Sequence, residues 1–330
     1  MQTKVNSMKL ADIYKNLRSD LREIERELES SIQAEHPDLN RSAIHLLEAG
    51  GKRMRPVFVL LAGKFGHYEV SRLKQVAVPL ELIHMATLVH DDVIDDAATR
   101  RGRATVKAKW DNRVAMYAGD YLLARSLDIV SRVGDPRAHR VLSRAIFQMC
   151  KGEIEQIRDF YNPDQSLIRY FHRIRRKTAL LMAISCELGA LVSGAESPTV
   201  RRLRLYGYFV GMAFQITDDV LDLTGDEKTL GKPAGSDLRQ GNLTLPVIYV
   251  LKRGPKAERE QILAYLRSRG TDGSLPVILE GIRRSEGIDC AHRLARRYLD
   301  KALSMLEDLP EGEPKESLRL IAEFVARRSY

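Results

Sequence analysis

The chain has 330 residues, 44% of them hydrophobic and 29% charged, and a formal net charge of +9 at pH 7. That balance excludes a disordered chain, and no apolar run reaches the ~18 residues that a bilayer-spanning helix needs. The positive charge points to an anionic partner, whether nucleic acid, phospholipid surface or phosphorylated small molecule, without choosing among them.

Residues 1–10 are expected to form a loose tail. The N-terminal stretch "MQTKVNSMKLADIYKNLRSDLREIERELE" has no signal-peptide core and predicts a charged amphipathic helix, a candidate docking surface. Apolar residues then recur at three-and-four spacing over 41–48, 57–65, 72–92, 114–132, 140–160, 177–193, 199–223 and 243–252, and onward to the C-terminus. Polar segments at 48–56, 97–105, 133–137, 161–166, 192–198 and 224–242 predict connectors, the last long enough to expect a functional loop. Alternating strand patterns and domain linkers are missing, so the expectation is one all-α domain over 1–330. Cys150, Cys186 and Cys290, odd in number and far apart, fit reduced core residues of a cytoplasmic protein better than disulfides or a zinc site. Gly207 and Gly211 form GxxxG, but their helix runs into "TDD", so close packing in a soluble protein is expected there.

Two of these helices end alike. "HMATLVHDDVIDD" (84–96) and "GMAFQITDDVLDL" (211–223) both carry D-D-x-x-D after an apolar run. Each residue advances about 100° on a helix, so Asp91, Asp92 and Asp95 share one side, as do Asp218, Asp219 and Asp222. Like charges at these spacings repel, and carboxylates near a helix C-terminus oppose the macrodipole. One such cluster could be a solvated acidic face; two matching ones in apolar helices imply a partner that favours them, in two equivalent positions facing one another inside a bundle. Hard divalent cations fit, since Mg²⁺ takes oxygen ligands and bridges carboxylates to phosphates. Neither cluster has the ligand spacing of a calcium-binding EF-hand loop.

Cations stand near both clusters. Arg100 and Arg101 follow the first, "GGKRMRP" supplies Lys52, Arg53 and Arg55, "RRIRRKTA" supplies Lys177, and the long connector supplies Lys232. Arginine forks and lysine point charges suit a diphosphate. Both signs of charge are then explained: carboxylates for metal, metal and cations for diphosphate.

With these motifs the chain resembles the trans-isoprenyl (polyprenyl) diphosphate synthases. "DDVID" (91–95), "DDVLD" (218–222), "GGKRMRP", "RRG" (100–102), "KTA" (177–179) and "GKPAGSDLRQGNLTLP" (231–246) stand in the family's order, and the resemblance covers most of the chain. "LVHDDVIDDA", "KGEIEQI" and "GKPAGSDL" resemble the catalytic large subunits of two-component synthases most. The resemblance implies an isoprenoid-synthase-type helical bundle with a central active-site cavity. It implies a cytoplasmic prenyltransferase that extends an allylic diphosphate with isopentenyl diphosphate to a long product, heptaprenyl diphosphate for menaquinone above all, with hexaprenyl, octaprenyl or nonaprenyl as alternatives.

The implied roles follow residue by residue. Asp91, Asp92, Asp95, Asp218, Asp219 and Asp222 would hold two or three Mg²⁺ ions. Arg100, Lys177 and Lys232 would grip the allylic diphosphate, and Lys52, Arg55, His84 and Arg101 isopentenyl diphosphate. Thr178 and Gln215 would lie near the allylic cation and Phe214 beside the incoming alkene. Asp96 matches no ligand position, and Asp237 is a candidate for the second metal shell. Asn242 departs from the family, where many relatives carry lysine. Ala86, Thr87 and Ile83 on the first motif's helix would set product length, being free of the aromatic plugs of short-chain members. The expected partner is a small non-catalytic subunit or a second copy, with transient membrane contact on product release. Nucleic-acid binding through "FHRIRRK" (171–177) is the reading from another class, but no zinc-finger spacing or RNA-recognition aromatics support it.

Overall fold

The computed structural model describes residues 10–100, 102–225 and 233–327, and these are helical almost throughout. From the N-terminus run α1 (Leu10–Asn16), α2 (Arg18–Ser31), α3 (Pro37–Glu48), α4 (Met54–Gly63) and α5 (Val70–Ile94). A two-residue ribbon pairs Thr99–Arg100 with Arg103–Ala104 inside the connector expected to be irregular. Then come α6 (Val106–Lys109), α7 (Asn112–Ser131), α8 (Pro136–Asp159), α9 (Leu167–Ile174), a π-helical turn at Arg175–Ala179, α10 (Leu180–Val192) and α11 (Ser197–Thr224). Helices Ser236–Arg239, Leu245–Arg253, Lys256–Arg267, Leu275–Arg284, Glu286–Ser304 and Glu313–Arg327 complete the described chain. The all-α expectation holds, and every periodic segment named from the sequence lies largely on a helix.

Local chemistry sets the helix starts. The Asp111 carboxylate accepts the Val114 N–H at 2.8 Å to open α7, and the Ser166 hydroxyl accepts that of Arg169 to open α9. The His36 ring accepts from Asp38 before Pro37 at the start of α3, where proline's missing N–H costs nothing.

The described chain divides into two compact units. The first contains the described residues of Met1–Ser143, Leu181–Gly207 and Met305–Phe324; the second those of Arg144–Leu180, Tyr208–Ser304 and Val325–Tyr330. In the first, α5 is buried along Leu73, Val76, Ala77, Leu80, Ile83, Ala86 and Val89. Phe58 and Tyr206 meet edge to face at 6.3 Å, and a methyl on Gly189 would come within 2.3 Å of the Val59 carbonyl. Gly119 of α7 lies so close to His90 that a side-chain carbon there would stand 2.2 Å from the His90 ring, which brings α7 hard against the end of α5. In the second unit, Gly211 lies on Ala179 and Gly152 on the stem of Arg176. Gly207, in the first, packs on Met182 and Cys186, so both glycines of the GxxxG pair serve close packing. The cysteines are all free, but only Cys186 is a core residue; Cys150 is exposed.

Candidate active site

In the first unit, Asp91 and Asp95 are half-buried near the end of α5, while Asp92 is buried. The Arg100 guanidinium donates from Nε to Asp92 Oδ1 at 2.7 Å. Burial raises the Asp92 carboxyl above its ordinary range, and Arg100 pulls it back. The extra aspartate, Asp96, terminates the helix. It adopts a left-handed conformation (φ 52), is exposed and pairs with Lys107, which accounts for its presence without metal.

The "GGKRMRP" loop enters α4 through Arg53, itself left-handed at φ 45. Lys52 is exposed and Arg55 half-buried, and the Tyr14 hydroxyl donates to the Lys52 carbonyl at 2.6 Å. His84 is half-buried on α5, where its carbonyl accepts from the Thr87 hydroxyl at 2.8 Å. Ile83 and Ala86 are buried on the same helix, and Thr87 is half-buried.

In the second unit, Asp218 is exposed at the end of α11, whereas Asp219 and Asp222 are buried. The buried Tyr170 hydroxyl donates to Asp219 Oδ2 at 2.7 Å, and Gln215 Nε2 donates to Asp219 Oδ1 at 2.8 Å. The Thr178 hydroxyl in turn donates to Gln215 Oε1, so Thr178, Gln215, Asp219 and Tyr170 form one chain of hydrogen bonds. Burial, then the nearby Asp237 charge, raises the Asp219 carboxyl well above its usual range against these donors. Asp222 Oδ2 accepts the Asp237 N–H at 3.1 Å, and Phe214 is half-buried on the same helix. Asn242 is buried, its N–H on the Asp237 carbonyl at 2.8 Å.

Lys177 and Thr178 occupy the π-turn. Such turns insert one residue into a helix and frequently mark functional sites. Buried Arg176 fixes it by an ion pair to Glu155, and its stem lies where any side chain on Gly152 would sit. The "KGEIEQI" segment of α8 thus has a local reason: glycine makes room for the arginine and glutamate holds it.

Arg101 and Lys232, expected to hold diphosphates, and the tail at 1–9 lie outside the described residues. Sequence reasoning missed Tyr170, the Arg176–Glu155 pair and Glu81, a buried carboxylate paired with Arg53. Glu81 had a legible signal, since it is the only charge in the apolar stretch "QVAVPLELIHMATLV".

The donor chemistry fits Mg²⁺. Among the described residues no three His, Cys, Asp or Glu side chains converge as a finished metal cage. The motifs offer hard carboxylate oxygens, the set that suits a small ion completing its shell with water and substrate phosphate.

The model of the polyprenyl synthetase family matches residues 36–278. The chain belongs to this family. Among the relatives of this polyprenyl synthetase, heptaprenyl diphosphate synthase component 2 of Geobacillus stearothermophilus is 54% identical over 326 residues, 98% of this chain and 100% of that protein. The crystal structure of heptaprenyl diphosphate synthase from Staphylococcus aureus superposes with a TM-score of 0.90 at 41% identity, covering 95% of this chain and 99% of the other. Polyprenyl synthase from Caulobacter crescentus, complexed with calcium and isoprenyl diphosphate, gives a TM-score of 0.92 at 32% identity, covering 98% and 99%.

Proposed function

We propose that this polyprenyl synthetase is the catalytic subunit of a heptaprenyl diphosphate synthase. It elongates an allylic diphosphate, farnesyl diphosphate first, by successive trans condensations with isopentenyl diphosphate, and the product serves menaquinone side chains. The observation that carries the reading is the pair of D-D-x-x-D helix ends, each with one carboxylate locked inward by hydrogen bonds. The 54% identity to a heptaprenyl diphosphate synthase component 2 supports the product assignment.

Asp91, Asp92, Asp95, Asp218, Asp219 and Asp222 bind the magnesium, with Asp92 and Asp219 set in orientation by Arg100 and by Tyr170 and Gln215. Magnesium, when bound as two or three ions, supplies positive charge that stabilises the departing diphosphate. Arg100, Lys177 and Lys232 grip the allylic diphosphate. Lys52, Arg55, His84 and Arg101 hold isopentenyl diphosphate, and Phe214 packs beside its alkene. Thr178 and Gln215 place polar atoms beside the allylic carbon as its bond to diphosphate oxygen breaks. The alkene of isopentenyl diphosphate forms the new carbon–carbon bond, and the proton lost passes to the departing diphosphate. Ala86, Thr87 and Ile83 line the path of the growing chain.

The relative's designation as component 2 supports a small non-catalytic partner subunit. Catalysis takes place in the cytoplasm, with transient contact with a membrane surface on product release; no described helix is long and apolar enough to cross a membrane. Labelled isopentenyl diphosphate, farnesyl diphosphate and Mg²⁺, incubated with the full chain with and without the small subunit, test the reading. Label passing into a prenyl product, and stopping in EDTA, supports it. Failure to incorporate label in both arms overturns it.

A further inference from the structure

Arg53 stands in sequence between Lys52 and Arg55, both expected to hold isopentenyl diphosphate, but its own side chain is largely buried, with 13% of its surface exposed. Its Nε and Nη2 donate to the two Glu25 oxygens at 3.0 and 2.8 Å, a fork on α2. Its Nη1 donates to Glu81 Oε1 on α5 at 3.1 Å, and Nη2 also reaches the Leu47 carbonyl in the last turn of α3 at 3.3 Å. One guanidinium therefore ties together three helices that converge on the start of a fourth. Its backbone is left-handed, a conformation that a non-glycine residue disfavours, so the side-chain contacts hold what the local chain alone would not.

Glu81 gives this clamp a direction. It is 3% exposed and lies one helical turn before His84 on α5. The Arg53–Glu81 pair thus fixes Lys52, in the loop, and Arg55, in the first turn of α4, against the helix bearing His84. Tyr14 secures the same loop from α1 through the Lys52 carbonyl and the Met54 sulfur. We infer that Arg53, with Glu25 and Glu81, is a positioning residue that sets Lys52 and Arg55 in register with His84 for one diphosphate, that of isopentenyl diphosphate. The inference rests on the functional reading above. Lysine cannot replace arginine here, because a point charge lacks the planar fork that spans both carboxylates.

Steady-state kinetics of the full chain with its small subunit, varying each substrate in turn, test it. Arg53→Lys keeps the buried charge, and Arg53→Met with Glu81→Gln removes the pair without stranding a buried carboxylate. Both are expected to raise the KM for isopentenyl diphosphate about tenfold, leaving the KM for farnesyl diphosphate and kcat within about twofold. Glu25→Gln, which keeps one acceptor for the fork, should give a smaller shift in the same KM alone. Equal rises in both KM values, or no rise in either, overturn the positioning role even if thermal unfolding shows the variants folded. A parent enzyme that does not consume isopentenyl diphosphate fails at the functional reading instead, so the two failures are distinguishable.

Discussion

Asp92 and Asp219 show what a carboxylate costs inside these motifs. Both are buried, both lie beside another aspartate, and each is held by donors that a neutral side chain would leave unused. Asp91 and Asp218 are their more exposed neighbours, and as charges near helix C-termini they weaken the isolated helix. Asp91→Ala and Asp218→Ala should each lower kcat by about 10²-fold or more while leaving the unfolding temperature unchanged or slightly raised. Turnover near that of the parent at saturating Mg²⁺ would count against a metal role. Tyr170→Phe removes one donor to Asp219, and should raise the Mg²⁺ concentration needed for half-maximal binding of a non-hydrolysable allylic bisphosphonate, read by calorimetry. Asp219 also gives a pH signature in metal-free protein. Its folded-state pKa lies above the ordinary 3.8 of the unfolded chain, so the folded form holds its proton longer. The associated stability is present below the unfolded value and is lost as pH rises through the folded one. The unfolding temperature in EDTA should therefore fall with rising pH more steeply for the parent than for Asp219→Asn, whose side chain does not titrate. Parallel curves would remove Asp219 as the cause.

At the scale of elements, helical periodicity located α3, α5, α7, α8 and α11, and α4 and α10, buried on nearly every side, show as apolar runs. The π-turn at Arg175–Ala179 was not legible in the same way. An inserted residue shifts the register by a fraction of a turn without changing composition, and what holds it, Arg176 on Glu155 over Gly152, comes from another helix. The short helix Ser236–Arg239 and the ribbon at 99–104 are too brief for any period to show. Gly152→Ala would place a carbon 2.8 Å from the Arg176 side chain, and the π-turn would have to yield. The KM for the allylic substrate is expected to rise several-fold with that for isopentenyl diphosphate unchanged; identical KM values for parent and variant would separate the turn from allylic binding. On α5, Ala86 is buried above Ile83, and packed interiors give little room. Ala86→Phe should shorten the main product, to geranylgeranyl length from a farnesyl primer, while the first condensation continues. An unchanged product distribution would mean that the chain grows elsewhere.

For the whole molecule, the order of the motifs identified the family from sequence, and the match over residues 36–278 bears that out. The division into two compact units was not legible. Two of its boundaries fall after Ser143 and after Gly207, inside the continuous helices α8 and α11, where no linker or shift of composition marks them. The expectation of a partner subunit rested on resemblance alone, since an interface reads in sequence like any other amphipathic face. The most direct test of the account is chromatography of the dephosphorylated products made from farnesyl and labelled isopentenyl diphosphates with Mg²⁺, by the full chain alone and with the small subunit. The account predicts heptaprenol as the main product, formed only when both subunits are present and abolished in Asp91→Ala. The same heptaprenol yield from the chain alone would contradict the heteromer, and a main product of geranylgeranyl length from the complete enzyme would contradict the long-chain assignment itself.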